Sequence, residues 1–328
     1  MFNLALEDVR AWIKSHGWSK IALQMPEGMK SKAIQIVQKL ADGLDCQFII
    51  IGDPCYGACD VYRGFEDFAD ALVHFGHARI PSINVSDNVL FVEMRVDPDM
   101  SDLVSEALPL LGGRVGLLAT IQYIESIPIV RSLLEKAGKE VYIGNGDSRI
   151  AYPGQVLGCN CSSAEDVNEK VDSFIQIGEG DFHALAIALD TGKDVIVLDP
   201  VKREIREMSE KRDRILRQRF ALINTAAEAR RFLVIVSAKT GQRRLKTAED
   251  AVRLLNSKGR YGAIVVLEEI NPIALMPYDV DAYVNTACPR VAIDDAVMYK
   301  RPMLTYAELE IVLGLRDWGD YVFDKIKE

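Results

Sequence analysis

The sequence predicts an α/β protein of three similar parallel-sheet units arranged about a pseudo-threefold axis. Three observations predict it. Short apolar runs alternate with helical stretches along the whole chain, the signature of parallel strands joined by crossover helices. That alternation restarts at Arg114 and again near Arg231, each time with a strand-like run ending in a polar turn. Each cycle also carries, in its later part, a cysteine in a loop beside glycine or proline: Cys59 in GDPCYGACD, Cys159 in LGCNCS and Cys288 in TACPRVAID.

The first unit, residues 1–100, opens with an amphipathic helix over Leu4–Ser15. A strand over Lys20–Met25 runs into Pro26-Glu27-Gly28, followed by a helix over Lys30–Ala41 and strands over Gln47–Ile51, Ala71–Phe75 and Val89–Glu93. The second, 101–203, repeats the order: a strand at Arg114–Ala119 ending in Thr120-Ile121-Gln122, a helix at Ile124–Ala137, and strands at Glu140–Ile143, Ser173–Ile177 and Asp194–Leu198. The third, 204–328, has strands at Phe232–Ser237, Ala263–Leu267 and Ala282–Asn285, with a helix at Thr247–Ser257. The cysteine offsets differ between units, so this is triplication of an α/β unit and not a solenoid repeat. Between units two and three, Lys202–Arg219 (KREIREMSEKRDRILRQR) reads as a charged linking helix. It has a narrow apolar stripe (Ile205, Met208, Ile215, Leu216) and i,i+4 pairs Glu207–Lys211, Glu210–Arg214 and Asp213–Arg217. A solvated helix packed by one face is the simpler reading; a docking surface for an acidic or RNA-associated partner is the alternative.

The chain has 328 residues, 49% hydrophobic and 27% charged, enough for two or three cores. Its net charge of −9 argues against direct nucleic-acid binding, which needs clustered Lys and Arg. No apolar run approaches the roughly 20 residues that span a bilayer, and the N-terminal stretch lacks a cleavable apolar core. A cytoplasmic setting follows as the expectation. Six cysteines are too few for a disulfide scaffold, so those in glycine-rich loops point to metal or redox chemistry. Cys46, opening the buried-strand pattern CQFIII, is expected only to pack.

The close pairs Cys55/Cys59 and Cys159/Cys161 lack the spacing of a zinc site, and His74 and His77, three apart in VHFGH, suit joint ligation poorly from a strand. Tyr62 stands where the CxxxCxxC motif of ordinary radical S-adenosylmethionine enzymes needs its third cysteine. A 4Fe–4S cluster on three thiolates from distant loops, Cys59, Cys159 and Cys288, fits better, because such ligands can come from anywhere in a fold. One iron would then keep an open position for a substrate atom.

YGACD (Tyr56–Asp60), LVHFGHARIP (Leu72–Pro81), LGCN (Leu157–Asn160) and NTACPRVAID (Asn285–Asp294) together resemble the diphthamide biosynthesis family, more closely its archaeal first-step enzymes. The resemblance runs through all three units, and ACPR is its most specific part. It implies a homodimer of triplicated α/β chains, each with one 4Fe–4S cluster on one cysteine per unit. It implies cleavage of S-adenosylmethionine to methylthioadenosine and a 3-amino-3-carboxypropyl radical, which adds to a histidine carbon of translation elongation factor 2, with an electron donor supplying the reduced cluster. Matched motif by motif, the ligands are Cys59, Cys159 and Cys288. The extra cysteines Cys55 and Cys161 depart from the pattern, and Cys161 stays open as a substitute for Cys159.

Arg290 is placed to bind the carboxylate of the co-substrate through two parallel hydrogen bonds, with an ion pair to Asp294 or Asp295 as the simpler role. Gln242, Lys239 and Gly28, at equivalent strand-end turns, are further binding candidates. His74 and His77 are possible site residues, though a histidine on an apolar strand is more often a hydrogen-bonded core residue. No glycine-rich phosphate loop is present. Two rivals remain: a quinolinate-synthase-like enzyme using the open iron as a Lewis acid, and a non-catalytic metal-binding module of the translation machinery.

Overall fold

The computed structural model describes residues 4–327. Unit 1 runs α1 (Leu6–His16), β1 (Lys20–Gln24), α2 (Glu27–Lys30), α3 (Ala33–Ala41), β2 (Gln47–Ile50), β3 (Ala71–Phe75) and β4 (Val89–Val92). Unit 2 follows with α4 (Ser101–Ala107), β5 (Arg114–Ala119), α5 (Ile127–Lys136), β6 (Glu140–Tyr142), α6 (Ser162–Glu165), β7 (Ser173–Ile177), α7 (Phe182–Thr191), β8 (Val195–Asp199) and β9 (Glu204–Glu207). Unit 3 is α8 (Ser209–Ala226), β10 (Arg231–Ser237), α9 (Leu245–Ser257), β11 (Tyr261–Leu267), α10 (Pro272–Leu275), β12 (Ala282–Asn285), α11 (Arg290–Ile293), β13 (Met303–Thr305) and α12 (Tyr306–Val312). The sheets are β2-β1-β3-β4, β6-β5-β7-β8-β9 and β11-β10-β12-β13. Each has the order second, first, third, fourth, all parallel apart from β9, so the expected triplication of a parallel unit is the architecture found.

A second device recurs inside each copy. The residue just before each third strand is an aspartate that accepts backbone N–H groups where the first strand begins. Asp70 takes those of Ser19 and Lys20, both at 2.8 Å. Asp172 takes that of Arg114 at 2.9 Å, and Asp281 those of Arg230 and Arg231 at 3.0 and 2.8 Å. All three carboxyls are held below the usual range, Asp281 at about 2. Asp70 is held chiefly by these backbone bonds, Asp172 and Asp281 first by side-chain hydrogen bonds from Arg114 and Arg231 and then by the backbone.

Helix packing follows the apolar spacing. Val9 and Ile13 of α1, Ala33, Ile36 and Leu40 of α3, Val130 and Leu134 of α5, and Ala248, Ala251 and Leu255 of α9 are buried against their sheets. In α7, Ala184–Leu189 is buried on all sides. It packs against α8, Ile293 and Phe323, between units 2 and 3.

One expectation is corrected. Lys202–Arg219 is not a single helix: Glu204–Glu207 is strand β9, antiparallel to β8, and α8 begins only at Ser209. The alternation in Glu204-Ile205-Arg206 explains it, for Ile205 packs on the core while Arg206 bonds Asp199 at 3.0 Å and Asp181 at 2.8 Å. Lys211 likewise pairs with Asp181 at 2.8 Å, not with Glu207. Because β9 pairs with β8, Glu204–Glu207 complete the second sheet although they lie just past the expected boundary at 203/204.

Helix α8 is packed by one face through Ile215, Arg219, Ile223 and Ala226, as the simpler reading had it. Beyond α12, residues 321–327 cross back to unit 2, burying Phe323 and Ile326. Lys325 there bonds Asp190 at 2.8 Å, and Asp324 takes two bonds from Arg244, both at 2.8 Å. Among the described residues no helix is long and apolar enough to cross a membrane.

Candidate metal centre

Loops from the carboxyl ends of the strands in all three sheets meet at one cleft of about 190 Å³, where α/β sheets commonly build their sites. Its lining includes Cys59, Cys159 and Cys288 together with Gln122, Gln155, Gln242, Arg290, His77, His183 and Phe182. The three cysteine loops are not strict equivalents. Cys59 and Cys159 follow the second strand of their units, whereas Cys288 follows the third, β12; in the other two units the segments after the third strand carry His77 and His183.

Each loop is fixed by its neighbours. The Cys59 turn closes with Asp60 N–H donating to Gly57 O at 3.0 Å, and Gly241 N–H donates to Cys59 O at 3.2 Å. A Cβ on Gly241 would lie 2.5 Å from that of Cys59, so only glycine permits this approach. In the second loop Leu157 and Asn160 exchange backbone hydrogen bonds of 3.1 and 3.0 Å, and Ile326 N–H donates to Cys159 O at 2.8 Å. Buried Asn160 locks this turn by donating to Asp147 at 2.7 Å and Ile326 O at 2.9 Å. In the third, Asn285 donates to Cys288 O at 2.9 Å while accepting from Ala287 N–H at 3.1 Å.

Burial is the main cause that pushes all three thiols up, Cys59 to about 11, and their charges oppose one another: Cys159 raises Cys59, and both raise Cys288. Cations offset this. Arg149, 1% exposed, hydrogen-bonds Cys159 and donates to Gly241 O at 3.1 Å. Arg244 stands near Cys159 and Cys288, and Gln242 donates to Cys59 Sγ at 3.3 Å. Three soft sulfurs in one cleft, with guanidinium groups beside them and an amide N–H aimed at sulfur, suit an iron–sulfur cluster: metal would displace the thiol protons and the cations would balance the negative thiolates.

The other candidates separate. Gln242 and Arg290 line the cleft. The Arg290 guanidinium lies 5.0 Å over the Phe182 ring and 3.5 Å from Asp294, so the simpler ion pair exists without removing it from the cleft. Two expectations are corrected. Lys239 is buried in ion pairs with Asp60 at 3.0 Å and Glu269 at 2.6 Å, so it clamps the Cys59 loop to unit 3 and does not line the cleft. Gly28 sits on α2 in a separate groove beside Lys32, Gln35 and Met94, because the chain turns into a helix straight after Pro26. Cys161 caps α6 inside the core of unit 2, which leaves the cleft position to Cys159. Cys55 is buried behind the cleft beside His74, and Cys46 packs with the core of unit 1.

Arg149, Arg244, Phe182 and His183 were not singled out by the sequence reading. A ten-residue run rich in alanine and leucine between two strands, FHALAIALDT, was the available signal for α7, whose first turn carries Phe182 and His183.

Burial lowers His74 well below its usual value, and takes His77 and His183 to about 4. Since the folded values lie below the unfolded one, the stability these groups contribute is complete above about pH 6.5. It is lost as pH falls towards 4, on the order of 3 kcal/mol each for His77 and His183. Urea unfolding of the metal-free chain at pH 7.5 and 4.5 is expected to show a clearly lower midpoint in acid, and the triple variant His74→Gln/His77→Gln/His183→Gln a flatter dependence. Gly241→Ala is expected to displace the Cys59 loop and lower bound iron at least several-fold, read by iron analysis after reconstitution.

Comparison with known proteins agrees with this geometry. A family model described as "Putative diphthamide synthesis protein" matches residues 25–322. The chain is 36% identical to the 2-(3-amino-3-carboxypropyl)histidine synthase of Pyrococcus horikoshii, across 96% of this chain and 91% of that protein. It is 30% identical to subunit 1 of the synthase from Caenorhabditis elegans, across 92% of this chain and 77% of that one. The crystal structure of Dph2 from Pyrococcus horikoshii with a 4Fe-4S cluster superposes with a TM-score of 0.91 at 34% identity, covering 100% of this chain and 95% of that one. The chain therefore belongs to the diphthamide synthesis protein family.

Proposed function

We propose that this chain is a 2-(3-amino-3-carboxypropyl)histidine synthase of the first step of diphthamide biosynthesis. It transfers the 3-amino-3-carboxypropyl group of S-adenosylmethionine to a histidine of translation elongation factor 2. The observation that carries the reading is the meeting of Cys59, Cys159 and Cys288, one from each unit, in a single cleft. These three would hold a 4Fe–4S cluster, which when bound supplies the electron that opens a carbon–sulfur bond of the sulfonium.

The chain's own residues do the rest. Arg290, steadied on Phe182, offers its fork of N–H groups to the co-substrate carboxylate. Gln242 hydrogen-bonds a ligating sulfur, and Ala78, Ile80, Ile121 and Val156 keep the wall apolar. The acceptor histidine enters through the mouth of the cleft. A homodimer is supported by unit 3, where the edge strand β11 exposes Val266 (58%) beside Ile273 (78%) and Met276 (61%). The setting is cytoplasmic, with six free cysteines in the chain, and an electron donor reduces the cluster.

Anaerobic reconstitution with iron and sulfide, followed by dithionite, S-adenosylmethionine and the elongation factor, tests the reading. Methylthioadenosine and a modified histidine are expected. Deoxyadenosine, or a fully loaded enzyme that turns over nothing, overturns it in favour of ordinary radical, Lewis-acid or non-catalytic readings.

A further inference from the structure

Behind the cleft wall, a chain of hydrogen bonds fixes where the protons of two histidines lie. Gln24, 1% exposed, donates Nε2–H to Asp60 O at 2.7 Å and accepts from Tyr62 N–H at 3.1 Å, which settles which end of its amide is oxygen. That oxygen faces His74 Nδ1 at 2.9 Å, so Nδ1 must carry a hydrogen and donate. His74 is buried and neutral, so its Nε2 is a bare acceptor. It lies 3.0 Å from His77 Nδ1, which must therefore donate in turn. The Cys55 thiol, 4.0 Å from the same Nε2, is a weak donor on the same side. The consequence falls on His77: with its hydrogen committed to Nδ1, Nε2 carries a lone pair. His77 lines the cleft shared with the three thiols, and its Nε2 has no hydrogen-bond partner among the described residues.

We propose that His77 is a catalytic residue, its Nε2 accepting the proton that leaves the imidazole carbon of the protein substrate, while Gln24 and His74 act as positioning residues that set its tautomer. The proposal rests on the transfer reading above. In that transfer one carbon–sulfur bond of the sulfonium breaks, one imidazole carbon–hydrogen bond breaks, and one carbon–carbon bond forms. The sulfonium is a cation and both organic products are neutral at those centres, so its charge must leave as a proton. The electron lent by the reduced iron–sulfur centre to open the carbon–sulfur bond is returned when that proton departs, so no net oxidant or reductant is consumed. A neutral imidazole with a lone pair, fixed at the wall of a largely apolar cleft, is the acceptor this balance requires.

The first test needs neither cluster nor turnover. The chain has four histidines, so two-bond proton–nitrogen spectra of histidine-labelled, metal-free protein at neutral pH can resolve each tautomer. His74 and His77 are expected as Nδ1–H forms, opposite to the form favoured in water, and a His77 carrying its hydrogen on Nε2 overturns the proposal. Zinc uptake that removes the His77 Nδ1 hydrogen and is abolished by Cys55→Ala also overturns it, in favour of a mononuclear metal site on Cys55, His74 and His77. In the second test, His77→Asn keeps an amide N–H where Nδ1 stood but has nothing at Nε2. Modified histidine formed per methylthioadenosine is expected to fall at least tenfold in the reconstituted variant; an unchanged ratio overturns the proposal. If the unaltered enzyme produces no methylthioadenosine, the transfer reading has failed, while the tautomers are still decided by the spectra.

Discussion

Cys288→Ala protein, reconstituted anaerobically, is expected to lose the brown cluster absorbance and to retain less than about one iron per chain where the unaltered protein holds about four. Two sulfurs cannot hold the cluster in competition with free thiols, and alanine leaves the turn intact because Asn285 bonds the backbone of residue 288, not its side chain. Circular dichroism and the unfolding midpoint of the metal-free variant should therefore match those of the parent. Cys46→Ala is the control: it packs in unit 1, away from the cleft, so cluster and fold should both persist. Equal iron in the Cys288 and Cys46 variants would sink the assignment of the ligands.

The second large effect concerns stability. Arg219 of α8 and Glu308 of α12 are 1% and 0% exposed. The guanidinium donates to Glu308 Oε1 at 2.7 Å and to Met303 O at 2.7 Å, and the carboxylate also accepts from Thr305 N–H at 2.8 Å. Arg219→Met leaves a buried carboxylate without its cation and should cost about 3–5 kcal/mol, measured by urea unfolding. Adding Glu308→Leu should recover much of that loss, because the desolvation of a lone charge is then gone. A single variant within about 0.5 kcal/mol of the parent would show that the pair carries no such weight.

Both effects bear on what could be read from the chain itself. Strands β3, β5, β7 and β12 were bounded to the residue, since each is an apolar run framed by charged or turn-forming residues. The three cysteine loops were visible for the same reason: each breaks from a strand into glycine or proline. Strand β9 was hidden because KREIRE carries helix-forming residues, while what favours its pairing with β8 is Arg206 meeting Asp199 across the hairpin and Asp181, 25 residues back. Lys239 and Gln242 occupy one turn and read alike, yet one is consumed by Asp60 and Glu269 while the other reaches Cys59. Arg149 gave no local sign, because its value lies in being folded under two loops, one of them from another unit.

The tail at 321–327 grips the Cys159 turn through Ile326 and holds Arg244 of unit 3 through Asp324. If Cys59, Cys159 and Cys288 hold the cluster, iron would be taken up only once unit 3 has folded against the other two. A nascent chain that has made only its first two units offers two of the three sulfurs, with the second turn still ungripped.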